Sequence, residues 1–315
     1  MDIVTTVFNV IVFPGFLFLS VLGLAGQWVD RKLYARLQNR MGPPWFQPVA
    51  DFFKLLGKEE VVPGEADKRI FRLAPIFALA AVIAAFLYIP LWGVKPLLSF
   101  QGDLVVVLYL LMIPTITFFL GGWYSRSVFA TVGALRAITQ LFAYEIPLLL
   151  ALLGPAILSG TWSISEIAAY LNAHPWYWLI NIVGLGVSLI TLLGKLERVP
   201  FDIPDAETEI VAGTFVEYSG RFLAFFRMAI DSEAIVSASL LAAVFLPFGL
   251  TVSPILGFVI YLAKVLLVLA ILALLRTVFA RLRIDQMINF CWRVVAPIAF
   301  LQVIADLVLK EFVQR

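Results

Sequence analysis

Residues 222–248 read FLAFFRMAIDSEAIVSASLLAAVFLPF, an apolar run longer than the ~20 residues a membrane helix needs, yet carrying Arg227, Asp231 and Glu233. Such a stretch reads as a bilayer-crossing helix whose charges face protein or water and not lipid. Working outward, seven more apolar runs end at charges or Pro/Gly clusters. They span roughly Val4–Trp28, Leu73–Leu91, Leu104–Trp123, Val132–Leu158, Trp176–Leu193, Ile255–Leu275 and Val294–Phe312. The whole chain agrees with this reading. Its 315 residues are 62% hydrophobic and 14% charged, with a mean hydropathy of +0.98. These values exclude a disordered chain, a two-domain soluble enzyme and a lone anchor helix. The expected fold is an all-α integral membrane protein of eight transmembrane helices, a single polytopic domain over 1–315.

With eight spans, one membrane face collects segments 29–72, 124–131, 194–221 and 276–293, which hold 17 of the 23 Lys and Arg residues. The positive-inside rule places these segments in the cytoplasm and both termini outside, in a multi-pass protein of the cell membrane. The first run resembles a signal peptide in length, but Arg31, Lys32, Arg36 and Arg40 follow it instead of preceding it, so it reads as a retained helix. Within 29–72, Trp45, Val49, Phe52, Phe53 and Leu56 recur at helical spacing between Pro43–Pro44 and Gly57. That pattern predicts an amphipathic helix along the inner headgroups of the lipid bilayer.

Carboxylates inside apolar spans are costly, and are functional candidates by default. They are Glu145, Asp231 and Glu233, with Asp306 nearer a helix end. Burial of a carboxyl group can bring proton uptake and release into the neutral range, which a proton relay requires. Glu145 stands two residues before Pro147, which removes a backbone donor, and its own helix offers only Arg136, nine residues away. Arg227 and Asp231 are one helical turn apart and are expected to pair. Glu233 points to another face, and Lys264 of the seventh span is its expected partner, as structural glue or as a relay station. Segment 194–221 is acidic, with Glu197, Asp202, Asp205, Glu207, Glu209 and Glu217, and it also carries Phe201, Ile203, Ile210, Val211 and Phe215. Those apolar residues predict an ordered loop. It could dock a basic partner, or lead carboxylates inward from a redox partner.

Other classes are set aside. A formal charge of +2 gives no reason to expect nucleic acid. One cysteine, Cys291, cannot make an internal disulfide or supply the four thiolates of an iron–sulfur cluster, so redox chemistry needs a partner's cofactor. No metal-ligand cluster, nucleophile–base set or phosphate-binding glycine loop is apparent. His174, before Pro175, reads as solvated in an external loop.

Four blocks carry a family resemblance: DRKLYARLQNRMGP (30–43) with QPVADFFKLLGKEEVVP (47–63), RAITQLFAYEIP (136–147), ERVPFDIPDAETEIVAGTFVEYSG (197–220) and RLRIDQMINFCWR (281–293). In this order they resemble the H-subunit family of NADH–quinone oxidoreductase, respiratory complex I, and its equivalents in energy-converting membrane-bound nickel–iron hydrogenases and related sulfur reductases. The resemblance implies a non-catalytic subunit that joins a cytoplasmic redox arm to ion-pumping membrane subunits. By motif position Glu145, Glu197, Asp202, Glu207, Glu209 and Glu217 belong to a proton or ion path, extended by Asp231, Glu233 and Lys264. Arg198, with Arg136 and Arg227, is a loop-fixing or charge-compensating residue. The implied partners are a hydrogenase-like or quinone-reductase-like large subunit, an iron–sulfur subunit and antiporter-like membrane subunits. Iron–sulfur clusters, and a nickel–iron centre or quinone, belong with those partners and not with this chain.

Two departures bear on subtype. MGPPWFQ (41–47) lacks residues that quinone-type members carry there, and FFRMAIDSEA (225–234) displaces the single glutamate that those members place after the FF pair. Both lean towards the ferredoxin-linked branch, while the PFD and EYSG blocks lean towards complex I. A quinone-site subunit is therefore the alternative. An independent secondary transporter is the alternative of another class.

Overall fold

A computed structural model describes residues 3–92, 96–249 and 252–313. Lys95 and Arg315, two of the six Lys and Arg residues not in the four basic segments, lie outside them. The chain is an all-helical membrane protein. Among the described residues, eight helical segments are long and apolar enough to cross a bilayer. The first is broken into α1 (Ile3–Ile11) and α2 (Phe16–Leu37) around Pro14, where the missing N–H interrupts the ladder. Next come α3 (Gln47–Leu56), α4 (Lys68–Phe86), α5 (Asp103–Tyr124), α6 (Val128–Ser159), α7 (Ile164–Ala173) and α8 (Tyr177–Lys195). A short α9 (Glu207–Ile210) and a 3₁₀ turn at Gly213–Phe215 lead to α10 (Gly220–Phe245), α11 (Pro254–Val278), α12 (Ile284–Phe290) and α13 (Ala296–Val313).

Several boundaries move from their expected places, each for a local reason. The second span starts at Lys68, five residues early, because the Asp67 side chain accepts from the backbone N–H of Arg69 (2.9 Å) and Ile70 (3.3 Å) and caps the helix there. The eighth span runs over Ile284–Phe312 instead of starting at Val294, since α12 passes into α13 through a π-helical turn at Cys291–Val295. Helix α8 continues to Lys195, past the expected end at Leu193. The segment between α6 and α8, expected to be external, folds as α7, whose Ile164, Ile167, Ala168 and Leu171 are buried. His174 is exposed at its end, as expected.

Helix α10 is the axis of the bundle. Its most apolar window is 94% buried, against 22% for the first span and 28% for the last. It packs on α2, α3, α4, α7, α8 and α11. Ala234, Ser237, Ala238 and Ser239 are all buried, and such small side chains let neighbouring backbones approach. The other spans turn Leu, Ile, Val and Phe outward, the surface that lipid would cover. Helix α3 lies at the same end of the bundle as the α8–α10 loop and packs on α2 and α10. Its neighbours Trp45 and Phe46, and its own Phe53, are exposed apolar groups, as an interfacial helix requires.

Candidate functional site

Where α8 ends, the chain must turn without leaving its last carbonyls bare. The Gln140 amide, from α6, donates to the carbonyls of Gly194 (2.7 Å) and Phe201 (2.9 Å) and pins both sides of the turn. Glu197 completes it in the left-handed region at φ 51°, a conformation that costs energy for a side-chain-bearing residue. Further along, Gly213 (φ 51°) sits against Gly133 of α6. A Cβ on Gly133 would come within 2.6 Å of the Thr214 nitrogen, so glycine there lets the loop lie on the helix.

This loop roofs a cavity of ≈ 550 Å³ between α2, α8, α10 and α11. Its walls are mostly ionisable, including Arg31, Lys195, Glu197, Arg198, Asp202, Asp205, Arg227, Asp231, Glu233, Arg276 and Arg281. On one side Asp30, within the second half of α2, is buried and accepts from Arg198 and from Arg276 (3.2 Å). Arg276 also stacks over the Tyr34 ring, 4.1 Å away. Asp30 thereby ties α2, α11 and the loop together. Arg198 is thus the loop residue that contacts α2.

The cavity floor holds the buried charges. Lys195 and Glu233 are almost wholly shielded, with Lys195 Nζ 3.5 Å from Glu233 Oε1. The same ammonium donates to the Leu111 carbonyl at 2.6 Å, in the turn of α5 that Pro114 interrupts. It also lies over the Tyr144 ring, 5.6 Å from the centroid. Glu145 is buried beside Tyr144, and neither of its carboxylate oxygens has a hydrogen-bond partner. Lys195 is the cation that acts on it, and Glu233 feels Glu145 in turn. Outward, Glu197 interacts with Glu233, Asp205 and Arg227. Asp205, Glu197, Glu233, Lys195 and Glu145 therefore interact in succession from the loop into the interior of the bundle.

The loop carboxylates meet opposite fields. Burial, and then the neighbouring Asp205 and Glu233, hold the Glu197 carboxyl well above the usual carboxylate range, against the pull of Arg227. Glu209, at the exposed rim, is held below that range by Arg136 at 2.6 Å and then by Arg281 at 3.7 Å. Asp202 pairs with Arg281 at 3.1 Å. Glu217 is half-buried and is not among the cavity's lining residues. The Glu207 side chain lies outside the described ones.

Two expected pairs are not formed. Arg227 and Asp231 share a helical turn but do not bridge: Asp231 accepts from the Gln27 amide of α2 at 2.6 Å, while Arg227 lies over the Phe215 ring at 5.7 Å. Glu233 pairs with Lys195 and not with Lys264, whose ammonium donates to the Phe248 carbonyl at the other end of α10. Lys264 therefore stands apart from this site. Lys195, Asp30 and Gln27 are site residues that sequence reasoning missed, because each sits where the apolar run ends although its helix continues or has only just ended.

Comparison with known proteins gives one consistent picture. The family model for NADH dehydrogenase matches residues 8–307. An NADH-quinone oxidoreductase H subunit from Dehalococcoides mccartyi (strain CBDB1) is 35% identical over 314 residues, covering 97% of this chain and 86% of the relative. That of Thermomicrobium roseum is 37% identical over 317 residues, with 92% of each covered. Among solved structures, a chain of the membrane-bound sulfane sulfur reductase, an archaeal respiratory membrane complex, superposes with a TM-score of 0.84 at 28% identity, covering 92% of this chain and 96% of that one. Nearly the full length of the sequence, its eight spans and its folded backbone are thus shared, and this chain belongs to the NADH dehydrogenase family as an H-type subunit of complex I-like membrane oxidoreductases.

Proposed function

We propose that this chain is the coupling subunit of an ion-translocating complex of the sulfur-reductase or hydrogenase type. The run of interacting side chains from Glu197 through Glu233 and Lys195 to Glu145 carries the reading. A redox change above the loop alters the charge facing Glu197. Its carboxyl, already held against ionisation, answers by taking up or releasing a proton. Glu233 then gains or loses charge beside Lys195, and the shared ammonium passes the change to Glu145, whose oxygens no other donor holds. Coulomb coupling between groups so shielded from solvent as Lys195 and Glu233, 3.5 Å apart, lets the protonation of one acid influence the next.

In this arrangement the α3 face and the 194–221 loop are cytoplasmic and both termini lie outside. The partners are a large subunit and an iron–sulfur subunit above the cavity, with antiporter-like subunits beside the bundle. Iron–sulfur clusters, and any nickel–iron centre, reside in those partners. The mostly ionisable cavity wall supports charge transfer over seating of an apolar ligand. The short MGPPWFQ segment and the displaced Asp231 and Glu233 support the same branch. Glu145→Gln is the test: in membrane vesicles, electron transfer should persist while ion uptake is lost, and full uptake would overturn the relay.

A second reading has its own observation. A cleft of ≈ 420 Å³ between α2, α3 and α10 is lined by Leu24, Pro48, Phe52, Leu55 and Met228 and shares Gln27, Arg31, Arg227 and Asp231 with the cavity. Its apolar wall suits the tail of a quinone, which would make this a quinone-site subunit. Quinone-site inhibitors should leave the complex unaffected on the first reading and block it on the second.

A further inference from the structure

At the end of the bundle remote from the cavity, α13 presses Gln302 and Asp306 into the seam between α6 and α8. Asn181, which they meet, stands 14 residues before Lys195 on α8, which puts the seam ~21 Å from the cavity floor. Both side chains are more than nine-tenths buried. Space for them exists because the facing residues are Gly154 and Gly184: a Cβ on either would fall within 2.5 Å of Asp306 Oδ2 or the Gln302 amide.

The orientation of the amides is fixed by what they touch. Asn181 donates from Nδ2 to the Tyr177 carbonyl at 2.9 Å, which leaves its Oδ1 facing Gln302. Gln302 must then present Nε2, and that nitrogen donates to Asn181 Oδ1 (3.3 Å) and to Asp306 Oδ2 (3.4 Å). Two buried acceptors are left without a donor, Gln302 Oε1 and Asp306 Oδ1, one on each member of the pair. An ionised carboxylate would leave both orphaned, with a full charge held by one neutral amide. A single hydrogen on Asp306 Oδ1, shared with Gln302 Oε1, would satisfy both at once and close an eight-membered acid–amide ring. Gly154 of α6, and Gly184 and the neutral Asn181 of α8, face the pair. Lys310, one turn on along α13, donates to the Ile157 carbonyl at 2.7 Å.

We infer that Asp306 is a proton-binding site, holding a proton at neutral pH as one half of a closed acid–amide pair with Gln302. This site is separate from the cytoplasmic cavity and does not depend on the relay proposed there.

Infrared spectroscopy of the assembled complex in membranes tests it. A protonated-carboxyl C=O band should be present at pH 7, vanish in Asp306→Asn, and move to higher frequency in Gln302→Leu, where the acid loses its acceptor. The Asn variant keeps a two-bond amide pair, so it should assemble and match the native Tm. Absence of any Asp306-dependent band at pH 7 would mean the group is ionised and would overturn the inference. If Asp306→Asn fails to assemble, dicyclohexylcarbodiimide, which adds to protonated carboxyls in apolar surroundings, serves on the native complex. A mass adduct on Asp306 supports the site, and no adduct after prolonged labelling overturns it.

Discussion

The floor of the cavity and its rim hold the same kinds of ion pair under opposite conditions. On the floor, Lys195 and Glu233 are within 2% of complete burial, and both interact with another buried carboxyl, Glu145. On the rim, Arg136–Glu209, Arg281–Asp202 and Arg31–Asp51 are all in contact with solvent. The rim pairs have shorter separations, 2.6 to 3.2 Å against 3.5 Å, so distance ranks them above the floor. Dielectric reverses that ranking, because water screens the rim and not the floor.

Four substitutions probe this contrast. Lys195→Met should have the largest effect: it strips the counter-charge from two buried carboxyls, destabilises the chain by about 3–5 kcal/mol and ends ion translocation. Pairing it with Glu233→Gln should recover assembly but not coupling. If Lys195→Met is as mild as a rim substitution, the contrast collapses. Glu145→Gln comes next. The native carboxyl has no hydrogen bonds to lose, so Tm should move by no more than ~1 kcal/mol equivalent while coupling disappears.

Glu197→Gln should show a pH signature. The folded-state carboxyl is held above its unfolded value, so the native protein loses stability as pH rises from ~4.3 towards that raised value. The Gln variant escapes this loss. Its Tm advantage should grow with pH and vanish in acid, and a pH-independent difference would refute the assigned burial. Arg136→Gln should do least, about 0–1 kcal/mol and less in high salt. Because Glu209 is held below the usual range, that small contribution is present above ~4.3 and is lost as pH falls through the Glu209 value.

Much of the architecture is legible in the residues themselves. Eight apolar runs become eight crossing helices, since hydrocarbon tolerates little else, and the Pro43–Gly57 pattern becomes α3. The site is legible in its acids but not in their partners. Spacing places Asp231 one turn from Arg227, yet Gln27 from a helix two hundred residues away reaches it first. A shared face is a local property and a hydrogen bond is a tertiary one. Lys195 escapes a sequence reading for a related reason. Hydropathy ends a span at the first charge, whereas the helix continues and folds that charge inward beneath a loop pinned by Gln140. The α7 helix leaves a visible trace, with Ile164, Ile167, Ala168 and Leu171 recurring on one face.

The bond from Lys195 to the Leu111 carbonyl bears on what can move during turnover. An ammonium moored to the main chain of α5 keeps a ligand whichever neighbouring acid is neutral. On the proposed relay it would serve as a stationary post beside Glu233 and Glu145, with hydrogen ions exchanged around it and no helix having to slide.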